Sequence, residues 1–497
     1  MRKLKRKGAL KNSRWKVFGA LVAAVMCIFW TVSSIAATKV YWKNGFRFEY
    51  KPENSNFSYN LRIRSAIQLR YTYVDTDNII ATNQENYSSF TMRRCRLLID
   101  GTAPTPDWKY FLQIQLEKST YAMDAFLRWQ KYSFARVQFG RMKIPFSIEF
   151  WQSGFAQDGT DRTIFTGDSE EYKDVLGNKY YDFPGGNADI SVGNNYNKTT
   201  LFPTGGIELY RSQGIELNGY VDLFGMKQFL AYWLGVYNGR DTKNYAGTSP
   251  DMLYCFRLGI NFLPGSDPKG PMGKKGFNNY FTQGDYAYNT KPLAAFVVAG
   301  FTTKDRLSKY YKPEFNSTTA TISSGKATYD VNNYGFDSAL LFRYKGFSCD
   351  LEGAWEEYVR NPNASVSGIA ERHWDKVAAR LNLGYFIVPK KIEITAKYAY
   401  LQRIYNNNVT KSLESGLGLV PTTHGYTVEK DLQQYVLGAN YYIDGFNQMI
   451  AVDVSWLYRN LDGISPSEAA AAGITNYATS TSSQNDYRFR VMYQFRF

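Results

Sequence analysis

Arginine recurs at every second position in several short amphipathic runs of this 497-residue chain. Arg62, Arg64 and Arg70 share one parity, Arg94 and Arg96 share another, and Arg128 and Arg136 continue the pattern. Arg257, Arg343, Arg380, Lys397, Arg488, Arg490 and Arg496 take equivalent positions further along. A guanidinium stays charged and presents forked donors that match oxyanions. A row of such groups on one face can pass an anion from one to the next. The same registers carry nine acids: Asp100, Glu117, Asp124, Glu216, Asp337, Asp350, Glu352, Glu393 and Asp453. The alternative is that the bases pair with these acids and only brace a wall. Distribution argues for the path, because seven arginines fall in the first five runs with three acids, Asp100, Glu117 and Asp124.

Other chemistry is poorly supplied. His373 stands two residues before Asp375 in a predicted external loop, a pair capable of general-base work. No nucleophile motif accompanies it, so no catalytic residue is assigned and the chain reads as a non-enzyme. The only other histidine is His424, which argues against a multi-histidine metal centre. Cys95, Cys255 and Cys349 are widely spaced without a Cys-x-x-Cys, which predicts neither a zinc site nor a disulfide framework. No cofactor is expected.

The elements that must position the arginines have a period of two. From Phe57 to Tyr73, apolar Phe57, Tyr59, Leu61, Ile63, Ile67, Leu69, Tyr71 and Tyr73 alternate with Asn60, Arg62, Arg64, Gln68 and Arg70. Such segments of about ten residues are the signature of strands that cross a membrane as a barrel. The final segment alternates Tyr487, Phe489, Val491, Tyr493, Phe495 and Phe497 with Arg488, Arg490, Met492, Gln494 and Arg496, and ends on the aromatic. A terminal Phe on an amphipathic strand is similar to the signal that barrel-assembly machinery reads. Sixteen segments are expected, starting near Phe57, Ser89, Trp108, Ala122, Phe134, Ile207, Met226, Met252, Leu293, Val331, Phe347, Lys376, Ile392, Leu432, Gln448 and Tyr487. The fold class is thus all-β: a transmembrane antiparallel β-barrel, most simply of sixteen strands.

Connections support the count, since barrels pair short periplasmic turns with longer external loops. Lys345-Gly346, Val388–Lys391 and Ile443–Asn447 are tight, whereas Thr303–Asp330, Ile404–Asp431 and Arg459–Asp486 are long. Leu263–Pro292 breaks the pattern, being long where a tight turn is due. The longest loop, Ile144–Gly206, mixes aromatics and acids, including Trp151, Phe155, Asp158, Glu170 and Asp174. It is expected to fold into the lumen and constrict it, since its aromatics would be poorly placed in free solution.

The formal net charge of +15 first suggests nucleic acid. Eight of the bases, however, lie in residues 1–36, ahead of and beside an apolar run Val17–Val32. Without them 51 bases face 44 acids, a net +7, and no nucleic-acid partner is expected. Residues 1–36 read as a secretory signal peptide, with Ser34 and Ala36 at the −3 and −1 positions of a cut. Residues 37–56 read as a short N-terminal periplasmic segment, and 57–497 as the barrel. A mean hydropathy of −0.40 is too polar for a bundle of membrane helices. The mature protein should begin near Ala37 and migrate differently on gels with and without boiling, because a closed barrel has no free edge. Terminal sequencing and a gel shift check both; an unshifted, soluble product would contradict the barrel.

The blocks Arg93–Leu97, Asp107–Ile114, Asp124–Leu127 and Val137–Ser147 resemble the phosphate-selective porin family of Gram-negative outer membranes. Asn238-Gly239, Gly384–Tyr400 and Leu437–Ser455 fit the same order. The resemblance implies a sixteen-stranded barrel embedded in outer-membrane lipid, a homotrimer, and a pore for small anions lined by arginines. The family's lysine cluster at the constriction has no matching motif here, and Lys304, Lys309 and Lys312 in the Thr303–Asp330 connection are only possible loop anion contacts. The expected function is passive diffusion of phosphate or general anionic solutes. Alternatives are a non-conducting barrel that serves as scaffold or secretion component, and an outer-membrane hydrolase.

Overall fold

The computed structural model describes residues 38–53, 56–76, 87–117, 120–166, 209, 211–238, 252–266, 282–308, 314–316, 321–323, 328–360, 372–406, 431–460 and 483–497. Its first strands are β1 (Thr38–Trp42), β2 (Phe46–Tyr50), β3 (Tyr59–Thr76), β4 (Tyr87–Thr102), β5 (Trp108–Gln115), β6 (Tyr121–Trp129) and β7 (Arg136–Lys143). One helical turn, α1 (Ile148–Trp151), follows β7. The wall continues as β8 (Arg211–Leu223), β9 (Met226–Tyr237), β10 (Leu253–Pro264) and β11 (Leu293–Ser308). A two-stranded hairpin, β12 (Glu314–Asn316) with β13 (Thr321–Ser323), stands apart. The chain then forms β14 (Thr328–Tyr344), β15 (Phe347–Arg360), β16 (Arg372–Val388), β17 (Ile392–Asn406), β18 (Asp431–Asp444), β19 (Gln448–Asn460) and β20 (Ser483–Arg496).

From β3 to β20, leaving out the β12–β13 hairpin, each strand pairs antiparallel with the next, and β20 returns to β3 from Asp486↔Thr76 to Arg496↔Ala66. That closes a barrel of sixteen strands. The first strand begins at Tyr59 instead of Phe57, and all sixteen starts lie within four residues of expectation. The N-terminal segment does more than precede the barrel. Its hairpin β1–β2 takes the edge of β3 below β20, from Phe46↔Ile63 to Tyr50↔Tyr59, so it extends the wall at the seam. Phe497 exchanges both backbone hydrogen bonds with Ser65 at the junction, at 2.7 and 2.9 Å.

Alternation produces opposite faces, and the exposed face is the apolar one. Along β10, Tyr254, Phe256, Leu258, Ile260 and Phe262 are exposed while Cys255, Arg257 and Asn261 are buried. In water such a surface would be an aggregation liability. Against lipid it is what a spanning wall requires, since a barrel whose last strand pairs with its first supplies ladder partners to the backbone on both sides of each wall strand. Tight turns join strands at the end where Phe497 and the β1–β2 hairpin lie. Lys345 and Gly346 both have positive φ, 47° and 84°, as a two-residue hairpin turn needs.

Two expectations are revised. His373 and Asp375 are not in a loop: both belong to β16, which runs past its apolar stretch because β15 and β17 continue the ladder beside it. Lys304 likewise sits in β11 opposite Asn332, since the β11–β14 ladder extends to Ser308↔Thr328. Lys309 and Lys312 lie outside the described residues. The long Leu263–Pro292 connection returns into the barrel mouth in its described residues 282–292. There Asp285 accepts from the backbone N–H of Gly346 at 2.8 Å, and Tyr286 packs its ring on Phe386, Tyr442 and Phe446.

Candidate functional site

Residues 144–166, the described part of the long loop, enter the lumen and are almost wholly buried there. Trp151, Phe155 and Asp158 are among them; Glu170 and Asp174 lie outside the described residues. The loop is pinned to one side of the wall through acids and amides on β15 to β19. Glu352 accepts from the backbone N–H groups of Ile148 and Glu149 at 2.6 and 3.1 Å, at the start of α1, and from Arg380 Nε at 2.5 Å. Asp453 accepts from Thr160 Oγ1 at 2.5 Å and from Arg490 Nε at 2.7 Å. Asn440 and Gln434 accept from the backbone N–H groups of Gly159 and Ile164, at 3.1 and 2.8 Å. Within the loop, Glu149 ties back Thr163 and Thr166.

Further round the wall, on β3 and β4 beyond β20, the loop offers one carboxylate, Asp161, to three arginines. Arg70 Nη1 donates at 2.7 Å, Arg93 Nε at 2.5 Å and Arg94 Nη2 at 3.0 Å. Burial alone would raise the Asp161 pKa, but Arg93, Arg94 and Arg70 outweigh it and hold the carboxyl well below the usual range. One negative charge therefore serves three positive ones, and the neighbourhood stays basic.

Among the described residues, two neighbouring chambers lie beside the loop. The narrower, of about 270 Å³, is walled by β4 to β9 and the loop. Its bases are Arg93, Arg94, Arg96, Arg128, Lys143, Arg162 and Arg211, against the carboxylates Asp124 and Glu216. The wider, of about 1160 Å³, opens at the turn end beside the β1–β2 tip. Lys43, Arg47, Arg62, Arg64 and Arg496 line it, with Asp444 as the acid side chain. Phe111, Gln113, Ser153 and Phe155 border both, so the two chambers are neighbours.

The arginines singled out by alternation divide among these rooms. Arg94, Arg96 and Arg128 face the narrow chamber, and Arg62 and Arg64 face the wide one. Arg62 and Arg64 share Asp100 at 2.7 Å each, yet their side chains stay 23% and 20% exposed and so accessible to an ion. Arg96 is paired with Glu117, and Arg128 hydrogen-bonds Gln138. Arg70 lies behind on Asp161, and Arg136 stacks over the Tyr220 ring at 4.3 Å; neither borders a chamber. Lys304 borders neither.

Four bases of the narrow chamber were not legible from a period of two. Arg93 is turned inward by a bulge, where the ladder jumps from Gln68↔Arg94 to Leu69↔Met92. Lys143 and Arg211 are ladder partners at the loop end of β7 and β8, where consecutive residues such as Arg141 and Met142, or Arg211 and Ser212, are buried and alternation is lost. Arg162 is on the loop itself, donating to the carbonyls of Glu149, Phe150 and Gln152.

A closed sixteen-stranded wall, apolar outside and charged within, crossed by an inserted loop, has the architecture of a membrane-spanning β-barrel of the outer-membrane type. The family model described as phosphate-selective porin O and P matches residues 42–174, the stretch from the N-terminal hairpin to the constriction loop. No curated protein matches the chain by sequence. Among solved structures, the outer membrane channel DcaP of Acinetobacter baumannii is 12% identical, covering 90% of this chain and 99% of its own, with a TM-score of 0.46. An anion-selective porin from Comamonas acidovorans is 10% identical, with coverages of 88% and 100% and a TM-score of 0.44. In-vitro folded OmpT of Vibrio cholerae, in its trimer form, is 12% identical, with coverages of 88% and 99% and a TM-score of 0.45.

Proposed function

We propose that this chain is a porin through which small anions diffuse passively, assembled as a homotrimer and inserted through the strand that ends at Phe497. One observation carries the reading. Glu352 on β15 and Asp453 on β19 are engaged in holding the loop, while the narrow chamber walled by β4 to β9 is bordered by seven bases and two carboxylates. Fixed cations in a low-dielectric throat concentrate counter-ions at close range. Screening limits that range to a Debye length of about 8 Å at physiological salt, so the lining charges should dominate over the distant surface.

Arg128→Ala is the cleanest test of the lining, because Arg128 holds no loop carboxylate. It should lower the anion-to-cation permeability ratio measurably at low salt, and combining it with changes at Arg94 and Arg96 should move selectivity toward cations. The triple variant also loosens the Asp161 anchor, so its conductance should rise as well. An unchanged ratio in both would remove the arginines from the path. Phosphate preference is a separate matter: a specific site requires phosphate to block chloride current at low concentration, and the expected outcome is a general anion preference without that block.

A second reading is favoured by the burial of residues 144–166. A loop packed this densely suits a plugged barrel that acts as scaffold or in secretion. Single-channel recording separates the two, since a plugged barrel conducts nothing.

A further inference from the structure

Phe111 and Phe126 occupy lumen-facing positions of β5 and β6, on the same faces as Gln113 and Arg128. A wall that only passes hydrated inorganic ions has no use for large apolar rings there. The two rings pack together at 5.2 Å, and Phe150, Trp151, Phe155 and Trp233 continue the belt around the narrow chamber. Cations are interleaved with it: Arg128 lies over Phe126 at 5.4 Å, and Arg162 and Lys143 lie over Phe150 at 4.9 and 5.1 Å. The chamber thus presents apolar ring faces and anion-binding groups within one small volume.

Resting on the anion-porin reading, we propose that the narrow chamber favours organic anions with an aromatic ring, of the single-ring carboxylate class, over inorganic phosphate and short aliphatic carboxylates. A carboxylate meets the guanidinium groups by charge-assisted hydrogen bonds. Its ring then leaves water against Phe111, Phe126 and Phe155, a gain proportional to the apolar area buried. Phosphate gains nothing from the belt and must give up hydration to enter it. The size fits as well: about 270 Å³ lies just below the roughly 300–1,000 Å³ of pockets for drug-sized ligands, which suits one ring.

The test uses the purified full-length mature protein in a planar bilayer, with chloride current recorded while sodium benzoate, acetate or phosphate is added at constant ionic strength. Benzoate should reduce the current at about tenfold lower concentration than acetate or phosphate. Phe111→Gln and Phe126→Gln should each bring benzoate toward acetate, with Phe126→Leu intermediate. Equal block by benzoate and acetate in an anion-preferring pore overturns the proposal and leaves the porin reading standing. Benzoate block that persists in full in both glutamine variants also overturns the assignment to this chamber. A pore that prefers cations, or conducts nothing, overturns the underlying reading and the proposal with it.

Discussion

Glu352→Ala should raise single-channel conductance several-fold and cost the barrel roughly 3–5 kcal/mol, the usual penalty for breaking a buried ion pair. Glu352 is fully buried and accepts from the first two N–H groups of α1 and from Arg380. Without it the helical turn loses its anchor on β15, and the buried Arg380 loses a carboxylate to which it donates. The loop should then swing or widen the throat. Glu352→Gln keeps an acceptor for the backbone while dropping the charge, so an intermediate effect is expected. Bilayer recordings and thermal unfolding report the two consequences separately. Unchanged conductance in Glu352→Ala would show that the loop is held by its other contacts.

Val491→Arg should sharply reduce the yield of assembled barrel. Val491 is on the outward face of β20, near its middle and between Val452 and Tyr71 in the ladder. An arginine on the lipid face at mid-depth costs about 2–4 kcal/mol, and β20 is the strand that closes the sheet. Arg490→Ala gives the contrast. By alternation alone Arg490 is a replaceable lumen group, but it is fully buried on Asp453, which in turn holds Thr160. Its loss should leave assembly largely intact and disturb the loop, which appears as altered conductance in heat-modifiable, membrane-inserted protein. The reverse order of damage would mean that the inward and outward faces of β20 are exchanged.

The wall was legible in the sequence because lipid on one side and a charged lumen on the other enforce alternation over whole strands, as in Leu253–Pro264. Strand ends were less legible, because ladders extend beyond the lipid without an apolar face; β16 thereby absorbs His373 and β11 absorbs Lys304. The loop's aromatics announced an inserted segment, yet its anchors stayed hidden. Asp161 is one acid among many until three arginines from β3 and β4 converge on it. Glu352 and Asp453 read as charges that weaken an anion path, whereas both are engaged in fastening the loop. Such pairings depend on which strands face each other across the barrel, and a period of two carries no information about that.

The central claim, that the open passage is cation-lined and therefore anion-selective, is tested most directly by the reversal potential of the unmodified pore across a potassium chloride gradient. The potential should have the sign of chloride preference and grow as total salt is lowered, because screening weakens fixed charge. A reversal potential with the sign of potassium preference would contradict the account while leaving the barrel intact.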